Sequence, residues 1–267
     1  MPSGPLHLSV DDVAACLRDL GEGEHVTPWT QPAFAYLRAL HERAGVVVSL
    51  YAFLEDGTWT LEDVPPRHRA AFTAASGWLR FGFHGLDAAT HYGAGGAPLV
   101  DARAHYARFV AATRRFAGSA AIDRLPRVHR FLGRHEAVRA WRDAEAGVLG
   151  LLTADDDRPE VYHLDAALRA RVRAQGAAFD EQERLHLVAS LPRLEREVGV
   201  AGRLDATRAA TPRCLFTHEP DLAGAAVRAR VEEAVEWAAR RGVGWAFPQD
   251  ALASPSPATD ASAADAS

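Results

Sequence analysis

Cysteine is scarce in this chain: of 267 residues only Cys16 and Cys214 carry a thiol. Both lie in apolar segments. They build neither a disulfide framework nor a Cys-x-x-Cys pair, and each reads as a small buried hydrophobe. Long hydrophobic runs are missing as well. Even the run at residues 45–53 falls well short of the roughly 20 residues that span a bilayer. No basic region leads into an apolar stretch at the start of the sequence, so no secretory signal is read and a cytoplasmic location is expected. Positive charge is not in excess. A net charge of −5 and the lack of a basic patch argue against nucleic acid as a partner. There is no Gly-rich phosphate loop, no His-Glu-x-x-His and no Gly-x-Ser-x-Gly, which removes several hydrolase and nucleotide-binding readings. No repeat of fixed period appears, and the sequence says nothing of oligomeric state.

What the chain has is 48% hydrophobic residues, enough for one full core, and an alternation of strand-like and helix-like segments. Strands are expected at 6–10, 45–53, 79–83, 148–154, 213–217 and 243–247, with a weaker one at 125–131. Helices are expected at 12–20, 31–43, 66–75, 134–145 (ended by Gly147) and 223–241. Asp101 is expected to cap a further helix, in which Tyr106, Phe109, Val110, Thr113 and Phe116 recur at 3.6 spacing. This order predicts a parallel sheet or barrel. Residues 158–212 are the least regular stretch and read as an insertion or variable crossing. From residue 250 onward the composition is Ala, Ser, Pro, Thr and Asp, and a disordered, dispensable tail over 250–267 is expected.

Chemistry-bearing residues stand at strand ends. Asp11 and Asp12 close the first apolar run, where one carboxylate can bind a metal while its neighbour serves as a base. Either could instead cap the helix that follows. His84 ends the strand Leu79 to Phe83 and could be a metal ligand through neutral imidazole or a loop histidine bonded to backbone. His91 is a second possible ligand on the same loop. After the weaker strand come His129, a ligand candidate, and Arg130, a candidate carboxylate clamp; both could also belong to a solvated basic loop. Asp155, Asp156 and Asp157 follow the strand at 148–154, as a solvated turn or with one of them orienting a basic group. His218 is placed as a general acid, with the adjacent Glu219 able to tune it. In parallel α/β folds such groups gather at the C-terminal ends of the strands.

In sequence order these pieces resemble the polysaccharide deacetylase superfamily, the NodB-type or family 4 carbohydrate esterases. Ser9-Val10-Asp11-Asp12 looks like the first motif, His84 the start of the second, His129-Arg130-Phe131-Leu132-Gly133 the third, Asp155 to Asp157 the fourth, and Leu215-Phe216-Thr217-His218 the fifth. The resemblance implies a distorted (β/α) barrel of the glycoside hydrolase and deacetylase type over residues 1–249. It implies a divalent metal, zinc by expectation, with Asp12 and His84 as ligands, Asp11 as general base and His218 as general acid. Position 88 is Ala where the second motif has another histidine. His129 is expected to supply the missing ligand, giving the open three-ligand arrangement of a catalytic zinc, with His91 as the other candidate. Arg130, Asp155 and Glu219 are expected in supporting places. The implied activity is metal-dependent removal of an acetyl or similar acyl group from an N-acylated sugar or small amide, acting on a C–N bond other than a peptide bond. The alternative is a barrel that has lost catalysis and binds a carbohydrate or metabolite. The chain looks more like the cytosolic-type branch than like secreted chitin or peptidoglycan deacetylases.

Overall fold

The computed structural model describes residues 4–23, 25–154, 156, 158–207 and 211–253, with backbone only at Leu191, Pro192 and Ala253. The strands are β1 (Leu6–Val13), β2 (Val48–Phe53), a small hairpin of β3 (Glu55–Asp56) and β4 (Trp59–Thr60), β5 (Leu79–Gly85), β6 (Gly150–Thr153), β7 (Ala177–Asp180), β8 (Leu185–Arg193) and β9 (Arg213–His218). The helices are α1 (Ala15–Gly21), α2 (Pro32–Ala44), α3 (Arg69–Ala75), α4 (Leu99–Phe116), α5 (His135–Arg142), α6 (Ala166–Gln175), α7 (Val200–Ala206), α8 (Glu219–Leu222), α9 (Ala225–Arg241) and α10 (Pro248–Ala253). None of them, among the described residues, is long and apolar enough to cross a membrane.

The protein is mixed α/β. One curled sheet runs in the order β5-β2-β1-β9-β8-β6, parallel throughout, and β7 adds antiparallel to β8. The extended segment 122–126 lies between the two ends of this sheet. Asp123 N donates to Phe81 O on one side, and Leu149 N and Leu152 N donate to Arg124 O and Pro126 O on the other. Curling sorts the side chains by strand alternation. In β1, Leu6, Leu8 and Val10 join the main core under the helices, while His7, Ser9 and Asp11 face the inside of the curl, where they meet Ser49 and Arg127. Tyr51, Leu125, Leu152, Val188 and Cys214 form a second, smaller core there. Gly82 makes room for it: a Cβ at that position would fall 2.4 Å from the Tyr51 ring.

Several expectations need correction. Residues 125–131 are not a strand but an extended run ending in a single 3-10 turn, His129–Phe131, with Arg130 and Phe131 both at positive φ. Residues 243–247 contribute only an isolated bridge, Leu6 to Trp245. The helix after β1 starts at Ala15, not at residue 12. Asp101 lies in the first turn of α4 and does not cap it. The stretch 158–212 is not a mere insertion, because it holds α6, β7, α7 and the sheet strand β8. The expected tail begins too early: Pro248–Ala253 is helical, and Asp250 pairs with Arg80 at 3.0 Å. Residues 254–267 lie outside the described residues. Both cysteines are free and buried.

Candidate active site

The inward columns of the parallel strands end at one place. Asp11 lies near the end of β1, opposite His218 of β9 in register, and His84 lies near the end of β5. Together with Arg127, Val128, His129, Arg130, Phe131, Arg158, Arg193 and Phe216 they line a cavity of about 200 Å³.

Asp12 follows Asp11 and by alternation would face the opposite way. A bulge prevents that. The β1–β2 register breaks between Val10 and Val13, and Asp12 takes φ 56°, a left-handed conformation that aspartate tolerates better than most residues. Both carboxylates therefore reach the same site. Neither caps α1. Glu219 does that from the end of β9, accepting hydrogen bonds from Ala14 N at 2.8 Å, Ala15 N at 2.8 Å and Cys16 N at 2.6 Å.

Asp12, His84 and His129 form a compact donor group. Asp12 Oδ1 lies 3.1 Å from His84 Nε2 and 3.4 Å from His129 Nδ1, and the two ring nitrogens are 3.4 Å apart. A tetrahedral ion with donors at about 2.0–2.1 Å has donor–donor edges of about 3.3–3.4 Å, so the group fits one. Proton placement supports the fit. His84 Nδ1 sits 2.5 Å from the Arg127 carbonyl, a bond only an N–H can make. A ring that carries its single proton there presents a lone pair at Nε2. That lone pair faces a carboxylate oxygen, so two acceptors oppose each other unless a proton or cation lies between them. Burial alone would raise the Asp12 carboxyl, but the His129 and His84 rings, when they carry a proton toward it, outweigh burial and hold the group well below the usual carboxylate range; a cation among the three would act in the same sense. His91 is not part of the group.

Around this group stand two ordered pairs. Asp11, 3% exposed, accepts from Arg127 Nη1 at 2.7 Å; Arg127 also donates to Ser9 Oγ at 2.8 Å and to Ser190 Oγ at 2.9 and 3.2 Å, and lies over the Phe216 ring. His218 Nδ1 faces Glu195 Oε1 at 3.1 Å, leaving Nε2 turned toward Asp12 Oδ2 at 4.0 Å. The same Glu195 oxygen accepts from Thr217 Oγ1 and His218 N. Burial would raise Glu195, but these bonds bring it down to about 2. Glu195, His218 and the exposed Asp221 are a second group with ligand atoms within 4.8 Å of one another, but its histidine nitrogen is already engaged by Glu195.

The structure thus brings together Asp11, Asp12, His84, His129 and His218. Arg130 reaches the rim rather than a carboxylate, donating to Ala88 O and His129 Nε2 at 3.3 Å, a contact that puts the proton of a neutral His129 on Nδ1, from which a bound ion would have to displace it; the carboxylate clamp is Arg127. Glu219 supports the helix and not His218, whose partner is Glu195. Asp155 and Asp157 lie outside the described residues, and Asp156 pairs with Arg158. Arg127 was legible, being two residues before His129 on an extended segment and so on the same side. Glu195 gave no signal, since it follows a strand in the stretch that looked irregular.

No protein-family model matches the chain, and no curated protein matches it. Among solved structures, a family 4 carbohydrate esterase from Streptomyces lividans in complex with acetate is similar, with a TM-score of 0.43 and 12% identity over 93% of this chain and 96% of that one.

Proposed function

We propose that this protein is a metal-dependent hydrolase built on a distorted (β/α) barrel, and that it removes an acyl group, such as acetyl, from an N-acylated sugar or similar small amide. The observation that carries the proposal is the triangle of Asp12 Oδ1, His84 Nε2 and His129 Nδ1, whose sides are close to tetrahedral edge length. Asp12, His84 and His129 would hold a divalent cation, with zinc suited to this N and O donor set. When bound, such an ion polarises an acyl carbonyl and lowers the pKa of water.

The remaining steps belong to the chain. Asp11, oriented by Arg127 and screened from bulk water, accepts a proton from the attacking water. His218 carries its Nδ1 proton toward Glu195, so its Nε2 can deliver a proton to the leaving amine as the C–N bond breaks. The Glu195 carboxylate stabilises the imidazolium before that transfer. Arg127 contributes orientation and charge balance without touching solvent.

The test combines metal content with acetate release. Wild type should retain about one zinc per chain after dialysis, as a three-ligand site does, and should release acetate from N-acetylated sugars. Asp12→Asn and His84→Ala should lose the metal, while Asp11→Asn should keep it and lose turnover. Equal metal in wild type and the ligand variants would refute the site. Metal retention with no acyl release from any N-acyl substrate would favour a barrel that binds a carbohydrate or metabolite without hydrolysing it.

A further inference from the structure

On the outer face of the sheet a second cavity, of about 340 Å³, opens between the ends of α6 and α7 and the start of β9. Its lining shares no residue with that of the active-site cavity, and only Ser190, which bonds Arg127, belongs to both regions. It includes Arg173, Arg203 and Arg213, with Thr207 and Thr211 between them. Arg173 Nη2 also donates to Asp156 O, and both Arg173 and Arg203 make further contacts, so the inner residues of the cavity carry the weight.

Arg213 is the inner member. Alternation along β9 turns it away from the inside of the curl, and its side chain is buried, 4% exposed. Nη1 donates to Gly4 O at 2.9 Å, and the guanidinium lies 5.2 Å from the Trp237 ring. Its Nε is buried with no hydrogen-bond partner. No ion pair among the described residues includes it. Burial presses the guanidinium's pKa down, and Asp205 offsets this only in part. Thr211 Oγ1 is likewise buried without a partner. It is packed where a Cβ on Gly176 would fall, 2.4 Å away.

An unpaired buried charge is unfavourable unless something brings the opposite charge to it. Arg173 and Arg203 stand in the last turns of their helices, where they also offset the carbonyl ends. Arg213 is on a strand and has no such role. We propose that this cavity binds the phosphate of a small phosphorylated metabolite, with Arg213 and Thr211 as the inner contacts and Arg173 and Arg203 at the mouth. The lining carries guanidinium and hydroxyl donors from α6, α7 and the start of β9, a donor set that suits the several oxygens of a phosphate. The volume lies within the roughly 300–1,000 Å³ range of small-ligand sites, so it admits an organic group as well as the phosphate.

The experiment is calorimetry on the full chain at constant ionic strength, with glycerol 3-phosphate, inorganic phosphate and malonate as titrants. Glycerol 3-phosphate and phosphate should both bind, the ester more tightly. Arg203→Ala and Arg173→Ala alter exposed positions and should each weaken the ester by about tenfold or more, the worth of a charge-assisted contact. Tighter binding of inorganic phosphate than of the ester would reduce the assignment to a bare anion site and overturn the metabolite. No binding of either phosphate at about 10 mM, a level that detects millimolar affinity, would overturn the proposal. So would equal affinity for malonate, or unchanged affinity in both arginine variants.

Discussion

At Asp12 a single backbone dihedral, φ 56°, decides which face of the sheet a carboxylate serves. Adjacent aspartates on an unbroken strand would diverge; here they converge on one cavity. His129→Ala should therefore reduce zinc affinity by more than the roughly 10–100-fold that loss of an outer partner costs, whereas His91→Ala should leave it unchanged. The reverse result would return the third ligand to the loop after β5. Arg127 is buried with Asp11, and removing one member of a buried pair strands the other charge. Urea unfolding of Arg127→Ala should show a loss of about 3–5 kcal/mol. Glu195 supplies a pH dependence. Its folded pKa, about 2, lies below the ordinary 4.5, so its contribution to stability is fully present above pH 4.5 and is lost as pH falls toward 2. Glu195→Gln should be less stable than wild type at neutral pH, and the gap should close as the pH is lowered through that window. A gap that stays constant would show that His218 and Thr217 do not hold the ionised form.

Elements are tied to the site by caps and bulges rather than by propensity. Helix α1 has no capping side chain of its own and takes one from the start of α8. Glu219→Ala should cost about 0.5–2 kcal/mol, seen as a drop in melting temperature of roughly 2–4 °C per kcal/mol, with zinc binding intact. Loss of metal in that variant would mean that α1 and the aspartate bulge move together. The same scale explains a misreading. β8 carries Leu185, Leu187 and Val188 into the two cores, yet its charged flanks and Pro192 obscured the alternation. With β8 unseen, Glu195 just beyond it could not be placed beside His218. The extended segment 125–128 was seen, but the backbone of 122–128 pairs with its two neighbours too sparsely to be a strand.

For the molecule as a whole, the curled sheet leaves an inside that is polar at its C-terminal end and packed with Tyr51, Leu125, Leu152, Val188 and Cys214 further down. The end of the described chain closes over Arg80, which pairs with Asp250 and lies over the Phe247 ring. Truncation after Ala253 should leave the melting temperature within about 2 °C, because the removed residues are almost without large apolar side chains. Truncation after Phe247 should lower it by several degrees more, through loss of the Asp250 pair, the Gln249 bond to Arg124 N and the Leu252 contacts. Equal melting temperatures for the two truncations would show that α10 contributes nothing.

The sequence by itself determined the alternation of strand and helix, the parallel order that follows from it, and the positions of Asp11, Asp12, His84, His129 and His218 at strand or segment ends. These are local properties: period, run length and residue type are legible without knowing what lies across the fold. Tertiary structure alone decided which partners complete them. Arg127 meets Asp11 across 116 residues, Glu219 reaches the start of α1 across more than 200, and Glu195 meets His218 across 23. Such pairings depend on sheet curvature, strand register and a bulge, and no short-range pattern encodes them.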